Sequence, residues 1–190
     1  TSDLTLELTA MRALLPKAKR IGVVIDPRYS KGFVDEASQL AQSRGLSLVS
    51  IEIDNPTKLD KALSGAKGRI DGLVIVSDKT VGNAAVVERL LGFAKEESLP
   101  VVGLAPAQVK MGALFALSPA PLSVGLQAGR VANRIVVEKV DPGALAVATP
   151  EGVELHVNLQ VARRLGLPES FANDVLVFAA RQGLAVKAVE

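Results

Sequence analysis

Blocks of apolar residues, each closed by turn residues, recur along the first part of this chain. In the clearest block, residues 21–26 are apolar except for Gly22 and the closing Asp26, and Pro27 follows. A continuous apolar run bounded by turn residues is typical of a strand that is buried on both faces. The pattern predicts strands at residues 20–26, 46–53, 72–77, 101–104 and 113–117.

Helical patterns occupy the intervals between these strands. Gly45 stands where a helix C-cap is expected, and Pro100 follows the end of another predicted helix. Strand and helix repeating at this spacing predict a doubly wound α/β fold, with a mainly parallel sheet flanked by helices and right-handed crossovers. The predicted helices cover residues 32–44, 57–66, 80–97 and 107–110.

The pattern changes after residue 117. The sequence Ser-Pro-Ala-Pro predicts a stiff linker, and an apolar helical stripe follows it. Two strands are then expected to pair around the turn sequence Thr-Pro-Glu-Gly, and a short helix ends at Gly166. The tail has no clear pattern. In chain order these segments are residues 118–121, 122–139, 144–148, 153–159, 159–165 and 169–190.

Length and composition fit one well-buried core. The chain has 190 residues, 48% of them hydrophobic and 22% charged, with a net charge of +2. The basic residues are scattered and only one Tyr and no Trp could stack on bases, so nucleic acid is not an expected partner. Without Cys, disulfides and thiolate metal sites are excluded. Apolar runs long enough to span a membrane are absent from the sequence.

Catalytic motifs are missing from this sequence. Its one histidine, His156, falls in phase with Glu154 and Asn158 in an alternating strand, and that alternation predicts a solvated strand residue. With one His and no Cys, the chain lacks the usual ligands of a transition-metal site. G-x-S-x-G, Walker A and G-x-G-x-x-G motifs do not occur. We therefore expect no metal, no cofactor and no enzymatic activity.

Polar turns follow three of the predicted strands. In a parallel sheet these turns lie along one edge, and each leads into a helix N-terminus suited to a carboxylate or a similar anion. Asp26 and Asp78 could hold an ammonium group, and Tyr29 could pack on an apolar or aromatic ligand surface. Each residue also has a plain explanation as a helix cap or turn former. The candidate ligand-binding residues are Asp26, Arg28, Tyr29, Ser30, Ser77, Asp78, Thr80 and Ala105.

Two other classes of function remain open on these residues. A flavodoxin-like signalling or regulatory domain would need a cluster of acids for Mg²⁺ at the end of the first strand, where only Asp26 stands. A small α/β enzyme would need a base or nucleophile at the strand ends. Only Asp26, Asp78 and Lys79 could serve as one.

An ordered series of segments resembles one known family. LLPKAKRIGVVIDP, at residues 14–27, resembles the LLP-x-A-K-R-I-G-V-x-x-[ND]-P segment of ABC-transporter substrate-binding proteins, relatives of tryptophan/tyrosine-binding lipoproteins. GLVIVSDKTV, at residues 72–81, resembles the strand and turn D-x-[IL]-x-V-x-x-D-x-T-V of that family. The series covers about residues 6–175. Asp26 replaces the more usual Asn, and Lys31-Gly32 stand where relatives often carry Asn-Ser.

The resemblance implies a type I periplasmic-binding fold, with two α/β lobes and a ligand in the cleft between them. This chain matches the second lobe. Residues 1–118 would be the ligand-binding lobe. Residues 119–190 would comprise a crossing segment, a helix that packs on the other lobe, and a C-terminal appendage completing one compact unit. We therefore expect a non-catalytic solute-binding component of an ABC import system that takes a small molecule such as an amino acid.

The same resemblance implies the partners and the location. The expected partners are the small-molecule ligand, an ABC permease subunit, and either the first lobe or a homodimer mate. The expected location is the periplasm or cell envelope, although the sequence shows no signal peptide.

Overall fold

A seven-stranded sheet forms the centre of the computed structural model, which describes residues 4–189. The strands lie side by side in the order β2-β1-β3-β4-β5-β6-β7, and every neighbouring pair is parallel except β5 with β6. The predicted α/β fold with a mainly parallel sheet is confirmed. The strands are β1 Arg20–Ile25, β2 Ser47–Glu52, β3 Gly72–Val74, β4 Val101–Gly103, β5 Phe115–Pro119, β6 Val153–Asn158 and β7 Ala185–Val189.

Helices cover both faces of the sheet. One apolar cluster contains residues of α1, α2, α7 and α8, and a second cluster on the opposite face contains residues of α3, α4 and α5. The helices are α1 Leu4–Leu14, α2 Pro27–Gln42, α3 Leu59–Ala66, α4 Ala84–Glu96, α5 Pro106–Lys110, α6 Pro121–Val136, α7 Leu159–Arg164 and α8 Phe171–Gln182, with short 3₁₀ helices at Pro56–Lys58 and Pro142–Ala144.

The chain changes direction across the sheet between β1 and β3. From β1 it crosses through α2 on one face to the edge strand β2, and it returns through α3 on the other face to β3. Beyond its carboxyl end β1 leads into α2 on the first face, and β3 leads into α4 on the second face, so the two connections leave the same edge of the sheet toward opposite faces. Ligands of open α/β sheets bind at such a topological switch point.

Strand β1 is buried on both faces, as its apolar run predicts. Five of its six residues are buried. Gly22 leaves room for its neighbours, because a Cβ there would lie 2.8 Å from Leu73 Cδ2 and 3.0 Å from Ile70 Cδ1. The packing around this strand holds the following turn at the edge of the sheet.

Two helices bordering this edge begin elsewhere than predicted. Helix α2 starts at Pro27, five residues before the predicted start, because Asp26 caps it and proline suits the first helical position. Helix α4 starts at Ala84, four residues after the predicted start, because the Asn83 side chain accepts a hydrogen bond of 3.0 Å from the backbone N–H of Val86. Local capping chemistry sets both starts.

The predicted pairing of residues 144–148 with residues 153–159 is wrong. Residues 145–148 form no strand, and β6 pairs instead with β5 and with β7. Ser118 and Pro119, predicted to be a linker, are the last residues of β5. The free edge of β5 offers β6 a place in a large sheet, whereas an isolated two-stranded hairpin is only marginally stable.

The tail, which showed no clear pattern in the sequence, forms α8 and β7, and β7 extends the same sheet. Glu190 lies outside the described residues. His156 is buried, in contrast to the predicted solvated position, because β6 is an inner strand between β5 and β7. Burial lowers the pKa of His156 below its usual value, and Glu154, 3.3 Å from its Nε2, opposes that shift.

Candidate functional site

The switch point of the sheet brings two of the predicted turns into direct contact. Asp26 directly follows β1, and Asp78 lies in the turn after β3. Although they are 52 positions apart in the sequence, the backbone N–H of Asp26 donates a hydrogen bond of 3.0 Å to Asp78 Oδ2. Both side chains are buried, so this pair forms the floor of the candidate site.

Asp26 is held by two neighbours. Its carboxylate accepts hydrogen bonds from the backbone N–H of Arg28 at 3.0 Å, from Arg28 Nε at 2.9 Å and Nη2 at 2.6 Å, and from Thr80 Oγ1 at 2.6 Å. The bonds from the Arg28 side chain lower the pKa of Asp26 well below its usual value, against the effect of burial, and Thr80 lowers it further. Asp26 is therefore an ionised structural anchor.

Asp78 accepts hydrogen bonds from four donors of neutral groups. Its Oδ2 accepts from Ser30 Oγ at 2.5 Å and from the backbone N–H of Asp26, and its Oδ1 accepts from the backbone N–H groups of Thr80 at 2.8 Å and Val81 at 3.1 Å. Burial alone would raise the pKa of Asp78, but the bonds from Ser30 and these backbone groups lower it below its usual value. These neutral donors thus keep the charge of Asp78 in place.

These bonds occupy the acceptor positions of both acids. An ionised carboxylate has about four acceptor sites, and each of the two aspartates accepts four or more hydrogen bonds from groups of this chain. Neither has a spare oxygen lone pair for the ligand ammonium group that the sequence suggested. What the acids do instead is join the turn after β1 to the turn after β3.

Three side chains at this edge point their polar or aromatic groups outward. Arg28 has a 58% exposed side chain, and its Nη2 also donates to the backbone oxygen of Asp54 at 2.6 Å. The guanidinium carbon of Arg28 lies 5.6 Å from the ring centre of Tyr29, and Nζ of Lys79 lies 5.1 Å from the same ring centre. Tyr29 is itself 54% exposed. A cation, an aromatic ring and a second cation therefore follow one another along the rim.

A cleft of about 400 Å³ adjoins this rim at the ends of β3 and β4. Its walls combine apolar side chains with a few polar groups, as small-molecule sites usually do. Gln108 closes one side, with its Oε1 accepting a hydrogen bond of 2.6 Å from the backbone N–H of Leu104. The lining residues are Ile75, Val76, Ser77, Asp78, Lys79, Gly82, Asn83, Leu104 and Gln108.

The predicted residues divide into three groups. Asp26, Ser30, Asp78 and Thr80 form the hydrogen-bonded floor, and Arg28 and Tyr29 lie on the rim. Ser77 is exposed and lines the cleft. Ala105 begins α5 at the third turn without a side-chain cap, and it is outside the residues that line the cleft.

Lys79 and Gln108 are parts of the site that the choice of binding residues missed. Lys79 stands between two chosen residues, so its position already marked it as a rim residue. The sequence pointed less clearly to Gln108. Its role depends on the side chain folding back toward the end of β4, where it accepts the hydrogen bond from Leu104. A Cβ at Gly103 would lie 2.9 Å from Gln108 Oε1, so this glycine leaves room for that side chain.

Residues 2–182 of the chain match the family model described as ABC transporter substrate binding protein. The chain belongs to this family. Substrate-binding proteins of the ABC transporter group are therefore its relatives, and the resemblance of its sequence motifs to that family is confirmed. Within residues 4–189 there is no group of three or more His, Cys, Asp or Glu side chains placed to hold a metal ion. In the same residues, no helix has both the length and the apolarity to cross a membrane.

Two known proteins resemble this chain over most of its length. It is 28% identical over 176 residues to a tyrosine-binding protein of Clostridioides difficile strain R20291, covering 91% of this chain and 49% of that protein. A conserved domain protein from Vibrio cholerae O1 biovar El Tor N16961 has a TM-score of 0.74 and 26% identity, over 92% of this chain and 59% of that one.

Two further solved structures share the fold. The ABC domain of Streptococcus pneumoniae in complex with L-Trp has a TM-score of 0.70 and 19% identity, covering 90% of this chain and 60% of that one. A ligand-free, open substrate-binding protein with adhesive properties from Clostridium difficile has a TM-score of 0.73 and 23% identity, covering 96% and 59%. The chain spans about half the length of the curated relative that it matches, a share that fits one lobe.

Proposed function

We propose that this chain is the ligand-binding component of an ABC import system, or one lobe of that component. It would bind a small molecule such as an amino acid at the C-terminal edge of its sheet, without catalysing a reaction. The observation that carries the proposal is the switch point between β1 and β3, where Asp26 and Asp78 join two polar turns beside a cleft of about 400 Å³.

The state of the two aspartates favours binding over catalysis. A general acid or base works best when its pKa is near the working pH, but hydrogen bonds from Arg28 hold the pKa of Asp26 far below that range, and Asp78 is lowered as well. Both groups already accept a full set of hydrogen bonds. They keep the rim and the cleft in shape for a ligand.

The relatives support an amino acid as the ligand class. One relative is named as a tyrosine-binding protein, and one protein of the same fold was solved with L-Trp. Tyr29 offers this chain an exposed ring on which an aromatic or apolar side chain could pack. The corresponding location would be the periplasm or cell envelope, with an ABC permease as the partner.

Helix α6 needs a further partner. No residue of α6 is buried, and Leu122 and Leu126 are 76% and 58% exposed. The helix is joined to the segment that leads into β6, because Gln127 Nε2 donates to the backbone oxygen of Thr149 at 2.8 Å and Arg130 forms an ion pair with Glu151. We propose that α6 packs on the other lobe of a two-lobed protein, or on a second copy of the chain where that lobe is missing.

Calorimetry and a thermal-shift screen test the binding function. The chain would be titrated with tyrosine, tryptophan, phenylalanine and small organic acids. One lobe encloses only part of a ligand, so we expect dissociation constants in the millimolar range, on the order of 1 mM. At about 100 times that constant, a ligand would raise the free energy of unfolding by about 2.7 kcal/mol.

Variants locate the binding to the proposed edge. Tyr29→Ala should weaken every ligand that binds the parent chain, and Phe33→Ala, an exposed aromatic one turn further along α2, is the matched control. Lack of binding by the parent chain across the whole panel, or equal binding by parent and Tyr29→Ala, would contradict the proposal.

A further inference from the structure

Charge is distributed unequally between the floor and the rim of the candidate site. On the floor, the acids Asp26 and Asp78 are buried and use their acceptor positions on groups of the same chain. On the rim, the exposed cations of Arg28 and Lys79 lie beside the ring of Tyr29. The carboxylate of Asp54, which helps to raise the pKa of Arg28, is itself paired with Lys58. A ligand that packs on the Tyr29 ring therefore meets these two cations.

The rim is also partly rigid. The Arg28 guanidinium is held by two bonds to the Asp26 carboxylate and one to the backbone oxygen of Asp54, so its orientation is fixed before a ligand arrives. Lys79 has a flexible stem, and its ammonium rests 5.1 Å from the Tyr29 ring centre. Fixed donors cost less conformational entropy on binding than mobile ones.

Lys79 connects the rim to the cleft. It lines the cleft of about 400 Å³ together with the apolar side chains of Ile75, Val76 and Leu104. An apolar ligand body could lie in that cleft while a negatively charged end reaches the ammonium of Lys79. Charge-assisted hydrogen bonds of this kind are roughly twice as strong as neutral ones.

We propose that Arg28, Tyr29 and Lys79 form a carboxylate-binding rim, so that this edge of the sheet recognises the carboxylate of an organic acid or amino acid and makes no ion pair with an ammonium group. The inference rests on the proposed binding function and narrows it to organic anions with an apolar or aromatic body. The acidic floor contributes by shaping the turns that carry these three residues.

Three related ligands test which end of the molecule is recognised. L-Phenylalanine carries both charged groups, 3-phenylpropionate only the carboxylate, and phenethylamine only the ammonium. By titration calorimetry or NMR at low salt, we expect 3-phenylpropionate to bind within about threefold of phenylalanine and phenethylamine at least about tenfold more weakly. Raised salt should weaken the first two, because exposed charge interactions are screened.

Variants of the rim residues separate their effect on ligand binding from any effect on folding. Lys79→Gln should weaken 3-phenylpropionate by about tenfold and leave phenethylamine unchanged. Lys110→Gln, an exposed lysine at the end of α5, is the matched control, and melting temperatures check that each variant folds. Tyr29→Phe should keep the selectivity because it keeps the ring.

Two results would overturn the carboxylate rim while leaving the binding function intact. One is phenethylamine binding as tightly as 3-phenylpropionate, and the other is Lys79→Gln binding the carboxylates as the parent does. Absence of binding by all three ligands and by the amino acids would overturn the binding function itself, and the rim with it.

Discussion

Replacing Asp78 by asparagine removes an acceptor oxygen from a buried side chain that accepts four hydrogen bonds. In the parent, its two oxygens accept hydrogen bonds from Ser30 Oγ and from the backbone N–H groups of Asp26, Thr80 and Val81. An asparagine side chain has one acceptor oxygen and one NH₂ donor. Whichever way the amide is turned, two of the four donors lose their acceptor.

The less costly orientation determines the expected loss of stability. With the NH₂ group at the Oδ2 position, the Ser30 hydroxyl can rotate and accept from it, and only the N–H of Asp26 is left facing a donor. A buried unsatisfied donor costs about 1–3 kcal/mol, and losing the charge-assisted bonds to a carboxylate adds to this. We expect Asp78→Asn to lower the free energy of unfolding by about 2–4 kcal/mol.

Urea denaturation followed by circular dichroism measures this loss, with the slope m checking that both proteins unfold alike. Asp60→Asn is the matched control, because its carboxylate is 62% exposed and paired with Arg89, and we expect its stability to be indistinguishable from the parent. A double-mutant cycle with Ser30→Ala should give a coupling energy of about 0.5–3 kcal/mol. Additive effects, or an Asp78→Asn variant within about 0.5 kcal/mol of the parent, would refute the reasoning.

Three further predictions concern other parts of the protein. Hydrogen bonds with Arg20 lower the pKa of Asp71 from 3.8 to about 2. The stability that the ionised Asp71 adds is therefore complete above about pH 4 and is lost as the pH falls toward 2. Asp71→Asn should remove this part of the pH dependence in urea titrations. Gly82→Ala should cost about 1–3 kcal/mol in urea denaturation, because its Cβ would lie 2.6 Å from the backbone oxygen four residues earlier, whereas Gly92→Ala, with open space around it, should be neutral or stabilising. Leu126→Glu should leave the melting temperature unchanged but weaken any self-association seen by sedimentation, and a large fall in melting temperature would show that α6 packs within the chain.

Sequence patterns predicted the central strands and also α6, β6 and α7 well, but they failed for the linker, for residues 144–148 and for the tail. A strand that is buried on both faces, such as β1, consists of a continuous apolar run, and the buried residues of β1 match the run seen in the sequence. Residues 144–148 carry a similar local pattern but form no strand. Pairing depends on which sheet edge is free, and the edge that β6 takes belongs to β5.

The candidate site shows the same division. The turns after β1 and β3 could be placed on one edge from the sequence, because parallel strands end at the same edge. The occupation of every carboxylate oxygen of Asp26 and Asp78 could not be predicted, because those oxygens accept hydrogen bonds from residues both near and far in the sequence. The ammonium-binding role suggested for the acids assumed that they were free.

By itself, the sequence determined the fold class, the buried central strands and the family. These properties depend on local patterns of apolar residues, turn residues and motifs, which are complete within short segments. Only the tertiary structure decided that the acids form a closed floor, that Arg28 and Lys79 flank Tyr29, and that His156 is buried. Those facts arise from contacts between segments that are distant in the chain. Asp26 and Asp78, for example, are 52 positions apart, and folding alone brings them together.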